Sequence, residues 1–411
     1  MTTFLDDVTV EDLDADPYRI YARMRAELPV ARVPAVDSWF VTRHADVAFV
    51  AEHPDLFPAA APGSPVERSF GAPTIITVDG PVHHDLRRAF DGNMRPKRVE
   101  GYVDDLVRPI AARHAAALAG AAASGEPVDL LATYFEPISV LSLAAVLGLD
   151  LDAQTLRRWF HGMSLGAINY EQDPARQAEA DAVLAEVDAV VVPLLQHLAA
   201  HPDDSTLSHM LHAGRAAGDP RPVDLVLPSV KVAILGGMQE PGHGAASTLA
   251  ALLAAPAQLA AVLAERTLVA AAVEEGTRWV TPIGTQFRTA ARDVEVGGAT
   301  VPAGAGVSAV LASANRDAAV FPEPDVFDLF RHVPGRAGDG PVGAAAAAAG
   351  QAAYGFGKHF CSGHSFARHQ MRIALEEVLV AFPAVRAAGD GPVEFRGWEF
   401  RAPVALPVLL S

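Results

Sequence analysis

The chain contains a single cysteine, Cys361, in 411 residues. That excludes a disulfide framework. No iron–sulfur or flavin motif is present either, so electrons for any redox chemistry must come from outside. Positive charge is scarce as well: 32 Lys and Arg against 49 Asp and Glu leave a net charge of −17. Such a surface repels phosphates, which argues against nucleic acid as a partner. No apolar run of about 18 residues lacks both charge and proline, so no membrane span is expected. The best candidate, Leu225 to Met238, is interrupted by Pro228 and Lys231. The start, Met-Thr-Thr-Phe-Leu-Asp-Asp, has neither the basic nor the apolar region of a signal peptide. These absences point to a cytoplasmic protein. No period of 20–50 residues repeats, which excludes a solenoid.

What is abundant is core-forming material. Half of the residues are hydrophobic and 20% are charged. The length allows one large domain or two to three ordinary ones. Apolar spacing predicts helices over 16–27, 43–53, 82–93, 101–123, 131–148, 152–168, 176–199, 204–214, 223–253, 256–265 and 268–280. Strands are predicted for a hairpin over 30–42, for 286–294, 300–302 and 307–311, and at the end over 393–410. The stretch 57–80 reads as a long irregular loop, and loops of that length are usually functional. Residues 315–336 form a polar meander, and 338–353 is an Ala/Gly loop by composition. The expected architecture is mainly α with a minor β lobe. As one domain over 1–411, it would have a β-containing lobe at 30–80, 282–311 and 393–411. The helical lobe would span 82–280 and 363–382.

The most informative stretch is Tyr354-Gly-Phe-Gly-Lys-His-Phe-Cys-Ser-Gly-His-Ser-Phe-Ala-Arg368. Gly355 and Gly357 precede the cysteine and Gly363 follows it. An apolar-periodic run then opens with Ala367, Met371, Ile373, Ala374, Leu375 and Val378. The thiol therefore sits where a glycine loop becomes a helix, and helix-end amides there favour a thiolate. Taken alone, a lone cysteine is more often a buried structural thiol. The spacing Gly-x-Gly-x-His-x-Cys-x-Gly is more specific than that. It resembles the haem-binding signature of the cytochrome P450 family, with Tyr354 where that pattern has Phe.

The resemblance implies the cytochrome P450 fold, haem b ligated by the Cys361 thiolate, and O2 as co-substrate. It implies further residues. Glu275 and Arg278 match the family's structural Glu-x-x-Arg pair, which braces the cysteine loop through the meander. His83 and Arg87, in Asp79-Gly-Pro-Val-His-His-Asp-Leu-Arg-Arg88, match haem-propionate contacts, as do Arg288 and His359. In the long central helix the family usually carries an acid followed by an alcohol, which deliver protons to bound dioxygen. Here Gln239 takes the acid position and Glu240 the alcohol position, within Leu235-Gly-Gly-Met-Gln-Glu-Pro-Gly-His-Gly244. The glycines and Pro241 predict a break or kink there, with Glu240 as proton donor or water anchor.

That run is similar to the family branch that O-demethylates guaiacol-type methoxyarenes. So are Asp16-Pro17-Tyr18, His201-Pro202-Asp203-Asp204-Ser205 and Gly397-Trp398-Glu399-Phe400-Arg401. The resemblance implies a small aromatic substrate held by Phe70, Leu165, Val232, Gly236, Ile283 and Phe400. Gln286 and Phe287 replace smaller residues and reshape the pocket, so an alkylguaiacol fits as well as guaiacol. The reaction would give a catechol and formaldehyde. A separate NAD(P)H-dependent reductase with flavin and iron–sulfur centres would supply electrons, docking near Lys358, Arg368 and Arg372. The alternatives are hydroxylation of another small hydrophobic substrate, a peroxide-driven haem enzyme, or a haem protein without catalysis, such as a ligand sensor.

Overall fold

The computed structural model describes residues 3–60, 62–333 and 350–410. Of the Ala/Gly stretch 338–353, residues 338–349 lie outside these.

Helices dominate, and most start where local chemistry starts them. Pro17 opens the Pro17–Glu27 helix from the first-turn position that needs no N–H donor. Asp173 caps the Pro174–Ala200 helix by accepting from the Ala175 and Arg176 N–H groups. The helical core gathers Trp159, Tyr134, Phe135, Leu249 and Leu375, all at most 1% exposed. Two smaller clusters fill the β-containing part. One lies around Val47, Phe57 and Val307, and the other around Tyr21, Phe40 and Trp398.

The main sheet has four strands in the order Val30–Val33, Ser38–Val41, Gly306–Ala309, Gln286–Thr289. Its centre is a parallel pairing, Trp39 opposite Val307, flanked by antiparallel neighbours. The hairpin turns through Pro34–Val36 and Asp37, whose φ of 47° closes it. Near the end, Phe395–Arg396 pairs with Ala402–Pro403, and Pro407–Leu409 pairs with both Arg386–Ala387 and Val128–Asp129.

Several expectations need correcting. The 57–80 loop contains a helix, Pro65–Phe70, because Ser64 accepts from the Glu67 N–H and Pro65 follows it. The helix expected at 131–148 begins as a π turn, Leu131–Phe135, before Glu136–Leu147. The 286–294 strand is two strands separated by a turn, Gln286–Thr289 and Val294–Val296. The 101–123 helix is interrupted at Leu118. The 223–253 helix is split at Gln239 into Val223–Met238 and Glu240–Ala254. Among the described residues one helix, Pro174–Ala200, is long and apolar enough to cross a membrane by length and composition. It packs against the Ala153–Ala167 helix, and Lys231 holds its Asp188 at 2.8 Å.

Candidate active site

The cysteine loop is shaped by two glycines with positive φ, Gly355 at 70° and Gly357 at 66°. The Cys361 N–H returns to the Tyr354 carbonyl at 2.9 Å, and the His364–Ala381 helix starts three residues later. The Arg368 guanidinium lies 4.1 Å from the centre of the Tyr354 ring and pairs with Glu274. Burial pushes the thiol up, while the Gly363 N–H pulls it back. The helix end therefore does not by itself yield the thiolate expected from sequence, because desolvation outweighs it.

Cys361 opens into a cavity of about 920 Å³. Gly236, Gly237, Glu240 and Pro241 from the central helix pair also line it. Pro241 has no N–H to give the carbonyl one turn back, and the Gly242 N–H is taken by Ser139 Oγ at 3.2 Å. The helix therefore breaks at Gln239 and presents the Glu240 side chain to the cavity.

One side of the cavity carries basic groups. Arg87, Arg288 and His359 line it, and the His83 ring lies against that of His359, centres 4.1 Å apart and planes tilted by 32°. Arg288 donates to the Phe287 carbonyl at 2.6 Å through Nη1, while buried Nη2 has no partner among the described residues. Buried His83 Nε2 likewise has none among them. Burial, with His359 and Arg87 nearby, brings His83 down to about 4. Asp79, not among the expected site residues, holds His359 Nε2 at 3.0 Å. Arg87 is shared between Asp91 at 3.2 Å and the Phe360 carbonyl at 2.9 Å.

Behind the loop, Arg278 grips Glu275 at 2.8 and 2.7 Å with both side chains fully buried. Arg278 also donates to the carbonyls of Asn315, Pro324 and Val326 in the meander. Glu275 further accepts from Arg331, His332 and the Asp328 N–H. Burial would raise this carboxyl, but these bonds, Arg278 foremost, hold it at about 2.

The cytochrome P450 family profile matches residues 260–396. Nocardicin C N-oxygenase of Nocardia uniformis subsp. tsuyamanensis is 31% identical over 413 residues, covering 94% of each chain. This chain belongs to the cytochrome P450 family. Cytochrome P450-SU2 of Streptomyces griseolus is also 31% identical, over 90% of this chain and 87% of that one. The structure of cytochrome P450 CYP109Q5 from Chondromyces apiculatus superposes with a TM-score of 0.81 at 27% identity, covering 98% and 97% of the two chains. The chain is thus a P450 monooxygenase, and P450 enzymes carry haem on a cysteine thiolate and use O2. Cys361 is the only cysteine available. The residues fit the group. The cavity adjoins the thiol, and two buried nitrogens at its basic side, Arg288 Nη2 and His83 Nε2, lack partners among the described residues, which an anionic edge would supply.

Of the expected P450 pocket residues, Val232, Gly236, Ile283, Gln286 and Phe287 line the cavity. Phe70, Leu165 and Phe400 do not. Phe70, at the end of its short helix, is 3% exposed within the helical core. Leu165 lies off the buried face made by Gly162, Met163, Gly166 and Ala167. Phe400 bridges to Ile283 and meets the Phe160 ring at 6.1 Å, behind the wall. Gln239 is fully buried at the helix break but is not in the lining. Glu240 is, and neither of its oxygens has a side-chain partner among the described residues. Burial pushes it up to about 8, against the backbone N–H groups of Glu240 and Gln239. Residues missed from sequence include Tyr170, Thr285, Arg68 and Met371 in the lining. Nothing in their spacing marks them.

At the expected reductase face, Lys358 is exposed. Arg368 is tied to Glu274, and Arg372 to Glu376 and Asp104.

Proposed function

We propose that this P450 O-demethylates a methoxy-substituted phenol of the guaiacol or 4-alkylguaiacol type. The observation that carries the reading is Glu240, a buried acid without a side-chain partner, set at a helix break in the wall of an apolar cavity beside Cys361. The surrounding Gly-Gly-Met-Gln-Glu-Pro-Gly-His run is similar to the O-demethylase branch.

In this reading the 411 residues act as one catalytic unit. Cys361 would ligate the haem iron, and His83, Arg87, Arg288 and His359 would hold the propionates. The haem would supply the dioxygen chemistry by which one oxygen atom enters a C–H bond of the methoxy methyl group and the other leaves as water. Glu240, protonated near neutrality, supplies protons to that water. Val232, Ile283 and Phe287 hold the ring and exclude bulk water. The hydroxymethyl ether so formed collapses to a catechol and formaldehyde. Two electrons come from a separate reductase approaching near Lys358.

Titration of the ferric protein with guaiacol, 4-alkylguaiacols, anisole and a fatty acid tests the reading. A low-spin to high-spin shift with a guaiacol supports it, and the tightest ligand names the ring pattern. A shift with none of the aromatics sinks it and leaves a monooxygenase of another small hydrophobic substrate. A second reading rests on the same carboxyl, since Glu240 stands where the family has an alcohol. It is a peroxide-driven enzyme, recognised by turnover with hydrogen peroxide and none with a reductase.

A further inference from the structure

The stretch Gly397 to Arg401 has no part in the chemistry above, yet it places a carboxyl group inside the cavity wall. Glu399 is 8% exposed. Its backbone is joined to the segment that leads into the Gln286–Thr289 strand: the Gly284 N–H donates to the Glu399 carbonyl at 2.8 Å, and the Arg401 N–H to the Pro282 carbonyl at 2.9 Å. Its side chain receives two hydrogen bonds. Tyr170 Oη donates to Oε1 at 2.8 Å, and Thr285 Oγ1 to Oε2 at 2.6 Å. Tyr170 and Thr285 line the cavity, whereas Glu399 stands behind them. The Tyr170 ring is held 5.6 Å from Trp398, which stacks on Phe40.

A hydroxyl has one hydrogen and two lone pairs, and an ionised carboxylate only accepts. With their hydrogens committed to Glu399, Tyr170 and Thr285 have only lone pairs to offer the cavity. A protonated Glu399 would give its one hydrogen to one of them, and the other hydroxyl would still be committed. In either state this part of the wall holds at least one hydroxyl that can only accept.

We infer that Glu399 sets the polarity of this wall, so that Tyr170 and Thr285 accept a hydrogen bond from an aromatic ligand carrying a free hydroxyl and discriminate against its methyl ether. The inference deepens the methoxyphenol reading, because the free phenol of such a substrate is the donor. Glu399 is a positioning residue that acts through the two hydroxyls.

The test is a spectral titration of the ferric holoenzyme with 4-methylphenol and with 4-methylanisole, read as the haem absorption shift or as competition with a shifting ligand. The phenol should bind about tenfold tighter than its ether, the worth of one well-made hydrogen bond. Glu399→Ala removes both acceptors, so Tyr170 and Thr285 can turn their hydrogens toward the cavity, and the ratio should then fall toward one. Thr285→Val combined with Tyr170→Phe should also lower it, by weakening the phenol alone, and this pair decides the matter if Glu399→Ala does not retain haem. Equal affinities in the wild type, no binding of 4-methylphenol, or a ratio unmoved by the variants that retain haem would overturn the inference. Neither ligand is a guaiacol. A protein that prefers the phenol yet demethylates no methoxyarene would keep this inference and lose the demethylase reading.

Discussion

Glu275 and Arg278, one helical turn apart, close a two-point ion pair with both side chains at 0% exposure, and Arg278 then fastens three meander carbonyls. A pair so buried is hazardous to halve. Glu275→Ala leaves the guanidinium uncompensated and should cost about 3–5 kcal/mol, measured by urea unfolding. Conservative Arg278→Lys should also destabilise, because an ammonium cannot reproduce the two-point grip.

The same carboxyl predicts an acid limb of stability. Its folded value of about 2 lies below the ordinary 4.5. Its contribution is therefore complete above about pH 4.5 and is lost as pH falls toward 2, by about 3 kcal/mol in all. Stability measured against pH should show this loss, and Glu275→Gln should flatten it.

Glu240 predicts the opposite slope. A carboxyl held at about 8 in the folded protein binds a proton that the unfolded chain has already released. Stability should thus decline as pH rises from about 4.5 to 8. Glu240→Gln should raise Tm at pH 9 relative to wild type. The same variant should reduce product formation by about a hundredfold, with reductant consumed into hydrogen peroxide. The fall in wild-type rate above about pH 8 should disappear.

The fold and the iron ligand were legible in the sequence because their signals are local. The cysteine loop needs its glycines and its helix start within ten residues. Glu275 and Arg278 meet through helical spacing alone. Central-helix breakage at Gln239 follows from Pro241. The pocket wall was less legible. Phe70, Leu165 and Phe400 are apolar, and apolar residues belong equally to core and cavity until the tertiary packing assigns them. Asp79 gives no sign that it reaches across 280 positions to His359. The bonds of Tyr170 and Thr285 to Glu399 span 229 and 114 positions. The helix Pro65–Phe70 was hidden in a loop-like composition, although Ser64-Pro65 is a start signal.

Gly284 lies where a side chain cannot. A Cβ there would come 1.9 Å from the Trp398 carbonyl oxygen. Gly284→Ala should push the 397–401 turn off the segment before the Gln286–Thr289 strand and cost about 1–3 kcal/mol. Thermal unfolding would register the loss, and the preference for phenol over ether should weaken in whatever holoprotein remains.

On the proposed reductase face, Lys358 is the informative residue, since Arg368 and Arg372 already serve internal ion pairs. Lys358→Glu should slow reduction by the reductase several-fold at low salt and leave ligand titrations unchanged. Stopped-flow reduction at two ionic strengths reads this directly.

The central claim is demethylation, and the most direct measurement is the product balance with 4-methylguaiacol, O2 and a competent reductase system. The account predicts formaldehyde and 4-methylcatechol in equal amounts, each tracking substrate consumed. A guaiacol that binds and shifts the haem spectrum but yields a ring- or alkyl-hydroxylated product without formaldehyde would contradict it.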